Sequence, residues 1–169
     1  ICSLWGISEE GGSGRYQSVR HALDAGYQFG FTGGTDNHFA EPGNPDAGGI
    51  TGVFAPELTR EAIFDALLAR HTFATSGPRM SLRFETPWGM MGDEVPLPDN
   101  ARARLCGRAL ACTAIERLEI IRNGIVAHTV PVGDAADARL DWEDDLPVGE
   151  VALAREHSDV PVAYYYLRV

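Results

Sequence analysis

The dipeptide Asn123-Gly124 lies between two apolar-rich runs, Ile115 to Arg122 and Ile125 to Val130. Asn and Gly both tolerate positive φ, and a two-residue type I′ turn needs positive φ at both central positions. This spacing therefore predicts a β-hairpin. Around it, Leu105, Leu110, Ile115, Leu118, Ile120 and Ile121 fall in strand-like segments without helical periodicity. Upstream, Met80, Leu82 and Phe84 alternate with Ser81, Arg83 and Glu85, the signature of a half-buried strand. A polar, acidic connection from Asp134 to Asp145 leads through Pro147 to a last strand, Val160 to Val169. Residues 85–169 are thus expected to form a small antiparallel β-sandwich-like domain.

The chain before this point has a different texture. Ile1 to Leu4 reads as a strand, followed by a Gly- and Ser-rich loop through Gly14. Between Gln17 and Ala25, Val19, Ala22 and Leu23 share one helical face, and Gly26 is a natural terminator. Gln28 to Phe31 reads as a strand, Phe39 to Gly49 as an irregular loop, and Ile50 to Ala55 as another strand. Thr59 is placed to cap a helix with Ile63, Leu67 and Leu68 at helical spacing, ending near Arg70 or His71. Thr72 to Thr75 then forms a strand that closes at Ser76-Gly77-Pro78. Two βα units within some 75 residues (roughly 30 or more per unit) predict parallel strands with helices packed outside. The expected fold class is α/β over residues 1–84, followed by all-β.

At 169 residues the chain is long enough for one compact domain or two small ones. Its formal net charge is −10, and Arg is its only strong cation, since it contains no lysine. No basic stripe exists to neutralise a phosphate backbone, so nucleic-acid binding is disfavoured. No run approaches the ~20 apolar residues of a membrane span, so no membrane partner is expected. Cys2, Cys106 and Cys112 lack metal-type spacing and read as small buried hydrophobes. The chain opens at Ile1 inside a strand and stops at Val169 inside an apolar run, so it reads as the late part of a longer chain. Cytoplasmic and periplasmic locations both stay open.

Chemistry concentrates in Asp36-Asn37-His38, which follows the apolar run Tyr27 to Phe31 and two glycines. Asp36 offers hard oxygens and His38 a borderline nitrogen, a mixture suited to zinc, manganese or iron. In extended backbone, positions two apart point the same way. Ligands of parallel sheets gather at the carboxyl ends of the strands. Three polar clusters are expected at such ends: Ser8-Glu9-Glu10, Asp36 to His38, and Arg70-His71 through Ser76. Glu9 or Glu10 reads as a metal ligand or as a solvated loop carboxylate. Arg70 reads as an anion clamp or as a helix-dipole partner. His71 could contact substrate, whereas His21, His128 and His157 read as structural or solvated. Ser76 lacks a nucleophile-elbow context, and Gly11 to Gly14 lacks the Gly-Lys of a P-loop. Trp5, Trp88 and Trp142 read as core or interface aromatics.

The strings Gly26-Tyr27-Gln28-Phe29-Gly30-Phe31, Gly34-Thr35-Asp36-Asn37-His38 and Pro42-Gly43 resemble the last metal-binding motif of the PHP (polymerase and histidinol phosphatase) superfamily. The runs Gly49 to Phe54, Leu58 to Leu67 and Arg70 to Gly77 resemble an uncharacterised PHP-like branch, in which a β-rich tail similar to Ile115 to Gly124 follows. The resemblance implies the C-terminal part of a distorted (β/α)7 barrel holding two or three divalent metals, usually zinc, manganese or iron. Asp36 and His38 match its closing Asp-x-His ligands. Glu9 lies in the branch's Gly-x-Ser-Glu segment and lines the site. The earlier His-x-His motifs, with the remainder of the barrel, would precede Ile1. One departure is Trp5, where relatives often place His. The implied function is metal-dependent hydrolysis, foremost of phosphoesters, by a metal-activated hydroxide. Arg70 and His71 would contact a small phosphorylated or other anionic substrate. No further catalytic residue is assigned, and the isolated 169 residues are expected to be inactive. The rival is a non-catalytic binding or interaction module, a degenerate barrel joined to a β-sandwich.

Overall fold

The computed structural model describes residues 1–3, 6–11, 18–38, 44, 46, 48–155 and 158–169. The expectations placed on Trp5, Pro42-Gly43 and His157 lie outside these. In chain order the elements begin with strands β1 (Cys2–Ser3) and β2 (Gly6–Ile7), then helix α1 (Val19–Asp24) and strand β3 (Ile50–Val53). Helix α2 (Arg60–Leu68) leads into β4 (Thr72–Thr75), β5 (Met80–Thr86), β6 (Gly89–Met90) and β7 (Arg102–Ala111). β8 (Arg117–Arg122), β9 (Ile125–Pro131) and β10 (Asp137–Pro147) follow. Helix α3 (Val148–Val151), β11 (Leu153–Arg155), β12 (Ser158–Val162) and β13 (Tyr165–Arg168) complete the chain.

The Asn-Gly turn forms as its chemistry requires. Asn123 has φ 48° and Gly124 φ 75°, and β8 pairs antiparallel with β9 across them. The Asn123 side chain ties the turn down, donating to the Val151 carbonyl at 2.6 Å and accepting from the Tyr164 amide at 3.1 Å. β13 adds on the other side of β8 to give the order β13-β8-β9. A second antiparallel sheet has the order β10-β7-β5-β6. Both outer long strands are irregular. β9 carries a bulge, because Ile120 faces His128 while Ile121 faces Val126, and β10 loses its register with β7 between Glu143 and Pro147.

The two sheets share one core, supplied by alternate residues of each strand. Leu82, Phe84, Leu105, Ala109, Ala138 and Leu140 come from the four-stranded sheet; Leu118, Ile120 and Leu167 come from the three-stranded one. At about 1.5–3 kcal/mol for each large apolar side chain taken from water, this layer supplies most of the driving force. β8 is unusual in being buried on both faces, since Glu119 and Ile121 are also below one-tenth exposed. The segment before β3 covers that outer face.

The expected fold class is not what forms. Among the described residues there are small antiparallel sheets, three short helices and no closed barrel. β3 and β4, expected as parallel neighbours across a helix, pair antiparallel, with Ile50 opposite Thr75 and Val53 opposite Thr72. The physical cause lies at the end of α2. Thr59 caps the helix as expected, accepting from the Ala62 amide, but at nine residues the helix spans only about 14 Å. Arg70 then takes the left-handed region at φ 64°, as a residue just past a helix end commonly does. The Phe54 amide donates to the His71 carbonyl at 2.9 Å, so β4 enters beside the point where β3 left. The only parallel contact among the described residues is a single bridge, Cys2 to Gly33. Residues 28–31, expected as a strand, take no regular structure. The expected domain boundary at 84/85 falls inside β5, which pairs with β7 from Met80 to Glu85.

Candidate functional site

The Asp36–His38 loop leaves a place where three backbone segments touch. The Gly34 amide donates to the Cys2 carbonyl at 3.0 Å, and the Gly49 amide to the Gly34 carbonyl at 3.1 Å. The Thr51 hydroxyl both accepts from the Gly33 amide at 2.9 Å and donates to its carbonyl at 2.6 Å. A side chain would not fit at Gly49, where a Cβ would stand 2.4 Å from the Cys2 carbonyl oxygen. Gly33, where a Cβ would stand 2.8 Å from the Ile50 carbonyl oxygen, and Gly49 are thus explained by close backbone approach, whereas a Cβ at Gly34 would meet open space. Asp36 itself has φ 48°, a conformation that Asp tolerates better than most residues. Asp36 and His38 are exposed, with Asn37 half-buried between them.

Arg70 and His71 sit at the entry to β4 and are turned toward the β6 loop. Arg70 Nε donates to the Gly92 carbonyl at 2.9 Å, and His71 Nε2 lies 2.9 Å from Asp93 Oδ1. The other Asp93 oxygen accepts from the Met90 amide at 2.9 Å. Burial pushes the Asp93 carboxyl up, but the bonds from His71 and Met90 outweigh it and hold it below the ordinary range. The two residues expected to meet an anion therefore form a latch between the α2 exit and β6.

Glu9 is joined to the far end of the chain. One of its oxygens accepts from the Tyr166 hydroxyl at 2.7 Å and from Arg168 Nη1 at 3.0 Å. Arg168 also donates through Nε to Glu119 at 2.8 Å, and Glu119 takes a second bond from Arg117 at 3.0 Å. Burial first, then the bond to Glu9, pushes the Tyr166 phenol well above its ordinary value. Phe31 packs edge-on to the Tyr166 ring at 5.3 Å, and Tyr164 donates to Asp24 at 2.6 Å. This seam fastens the N-terminal segment to the outer face of the three-stranded sheet. β13 makes it by alternation, turning Tyr166 and Arg168 outward and Leu167 into the core.

A second buried network joins the two sheets. Asp144 is fully buried where β10 departs from its ladder, and its carboxylate accepts from Arg122 Nη1, the Leu146 amide and the Tyr165 hydroxyl. Burial raises this carboxyl, and the three donors together bring it below its ordinary value. Sequence reading missed Asp144, Arg122, Tyr166 and Arg168 as site-forming residues. The available signal was the outward position of Arg168 and Tyr166 on a strand whose inward residues are apolar.

The structure thus does not gather the expected ligand set. Among the described residues, no three His, Cys, Asp or Glu side chains lie close enough together to hold a metal ion. Glu9, Asp36 and His38 are all described, so they form no such group, and no step of a metal-assisted reaction is derived from them.

A family described as "Protein of unknown function (DUF3604)" matches residues 44–107. An uncharacterized protein of Chlamydia pneumoniae is 32% identical over 163 residues, covering 90% of this chain and 26% of that relative. Uncharacterized proteins of Chlamydia muridarum and Chlamydia trachomatis are each 29% identical over 163 residues, with the same shares. The chain spans about a quarter of the length of these curated relatives. No solved structure matches. The PHP resemblance is therefore corrected: the matching family carries no PHP description, and the described sheets close into no barrel. With it, the hydrolase, metal-binding and barrel character drawn from that resemblance loses its support.

Proposed function

We propose that this region is a non-catalytic interaction module of a longer protein, in which the paired sheets hold and orient the segment at residues 6–11 and 18–38. The observation that carries this reading is the seam at Glu9. Two donors on one strand converge on a single carboxylate oxygen, and Arg168 is itself neutralised by Glu119. Such an arrangement fixes position and register, because planar guanidinium and phenol donors accept only a narrow range of geometries. The Asp36 loop is thereby presented at a defined place, with Asp36 and His38 exposed. The rival is the metal-dependent phosphoesterase expected from the sequence.

Both readings are decided in the full-length protein. In the combined variant Tyr166→Phe, Arg168→Gln, amide hydrogen exchange over residues 1–38 is expected to rise at least tenfold, while β7 and β8 keep their protection. Unchanged exchange over residues 1–38 would overturn the holding role. A stoichiometric bound metal, with phosphoester turnover abolished by Asp36→Ala, would decide for the rival.

A further inference from the structure

The outer face of the four-stranded sheet carries a row of arginines set in register. Arg83 stands directly opposite Arg108 across β5 and β7, and Arg108 stands directly opposite Arg139 across β7 and β10. Neighbouring strands lie about 4.8 Å apart, so three guanidinium stems rise side by side where like charges oppose one another. Two carboxylates serve all three. Glu85 accepts from Arg83 Nε at 2.7 Å, Asp137 takes two bonds from Arg108 at 3.0 and 2.7 Å, and Arg139 Nε lies 3.9 Å from the same Asp137. The one positive charge left over in the row sits on Arg139, and the chain as a whole carries −10.

Beside Arg83 and Arg108 lies a groove of about 180 Å³ lined by these two residues with Phe54, Ser81 and Leu110. Ser81 and Leu110 are themselves cross-strand partners, two pairs along from Arg83 and Arg108 and on the same face. The lining therefore has two arginines at one end, each already paired with a carboxylate, and an apolar wall with one hydroxyl. Its volume is below the roughly 300–1,000 Å³ of pockets for drug-sized ligands, which suits a small ion with a short apolar part.

We propose that this groove binds a phosphomonoester bearing a small aromatic or aliphatic group, its oxyanion bridging Arg83 and Arg108 and its apolar part against Phe54 and Leu110. A tetrahedral oxyanion presents oxygens to two guanidinium groups at once, whereas one arginine alone satisfies a carboxylate in bidentate fashion. A ligand that binds only the folded chain stabilises it by mass action, so occupancy should stabilise the fold. The site is one of binding, is separate from the Glu9 seam, and stands whether or not the holding role above is correct.

The test uses the full-length protein titrated with phenyl phosphate, inorganic phosphate and benzoate, followed by calorimetry and by thermal midpoint. Phenyl phosphate is expected to bind saturably, at least fivefold tighter than either inorganic phosphate or benzoate, and to raise the thermal midpoint. Arg83→Gln and Arg108→Gln should each weaken it at least fivefold, and Leu110→Ser should remove its advantage over inorganic phosphate. Arg104→Gln is the control: Arg104 pairs with Asp141 on the same face and does not line the groove. Absence of saturable binding, benzoate binding as tight as phenyl phosphate, or an equal loss in Arg104→Gln would each overturn the proposal.

Discussion

Replacing Asp144 with Asn tests whether the two sheets are joined by charge as well as by apolar packing. The Asp144 side chain is fully buried and receives three donors, from Arg122, from the Leu146 amide and from the Tyr165 hydroxyl. An Asn of the same shape keeps one acceptor oxygen, adds an amide that faces donors, and leaves the largely buried Arg122 without its counter-charge. Breaking a buried pair by removing one partner costs about 3–5 kcal/mol. At about 2–4 °C per kcal/mol for a chain of this size, the thermal midpoint should fall by roughly 6–20 °C. Replacing both charges together, Arg122→Met with Asp144→Leu, should cost less than the single change, because neither charge is then stranded. The carboxyl sits below its ordinary value in the folded chain, which sets the pH dependence. Its contribution is complete above the unfolded value of about 3.9 and disappears as pH falls through the lower folded value. Urea unfolding at pH 7 and at a series of values below 4 measures both effects. A loss under about 1 kcal/mol at pH 7, or a gap between wild type and variant that persists at the acid end, would refute the reasoning.

Two further substitutions probe the backbone. Gly52→Ala places a Cβ 2.1 Å from the buried Phe73 ring, so chemical unfolding should show a loss of roughly 1–3 kcal/mol with the denaturant slope unchanged. Gly124→Ala puts a side chain at φ 75° and within 2.1 Å of Arg20 Nε. It should cost roughly 1–3 kcal/mol, and exchange should rise at β8 and β9 before β7.

The parts of the fold that could be read ahead were those decided locally. Asn123-Gly124 specified its own turn, Thr59 its own helix start, and the alternation from Met80 to Glu85 its own strand, because each rests on a handful of neighbouring residues. Strand direction was different. Nothing in the βα spacing reveals that β4 starts beside the end of β3, with the Phe54 amide on the His71 carbonyl, which makes an expected parallel pair antiparallel. The site was less legible still. Glu9 could be recognised as a carboxylate in a polar loop, but its partners Tyr166 and Arg168 lie 157 and 159 residues further along. Likewise the arginine row exists only once β5, β7 and β10 are in register, although Arg83 was visible singly as an outward residue.

The margins of the two large sheets set the terms on which any other protein can engage them. β9 is broken by its bulge and ends at Pro131; β10 loses register after Glu143 and ends at Pro147. The opposite margins are β6, of two residues, and β13, of four. β6 and β13 offer too short a row of free amides and carbonyls for a foreign strand to continue the ladder, whereas β10 keeps an unbroken margin from Asp137 to Glu143. Recognition by β-augmentation is thereby disfavoured at β6 and β13 and least hindered along Asp137–Glu143. A partner at the short margins must instead read side chains on a face, where discrimination rests on the placement of charges and rings.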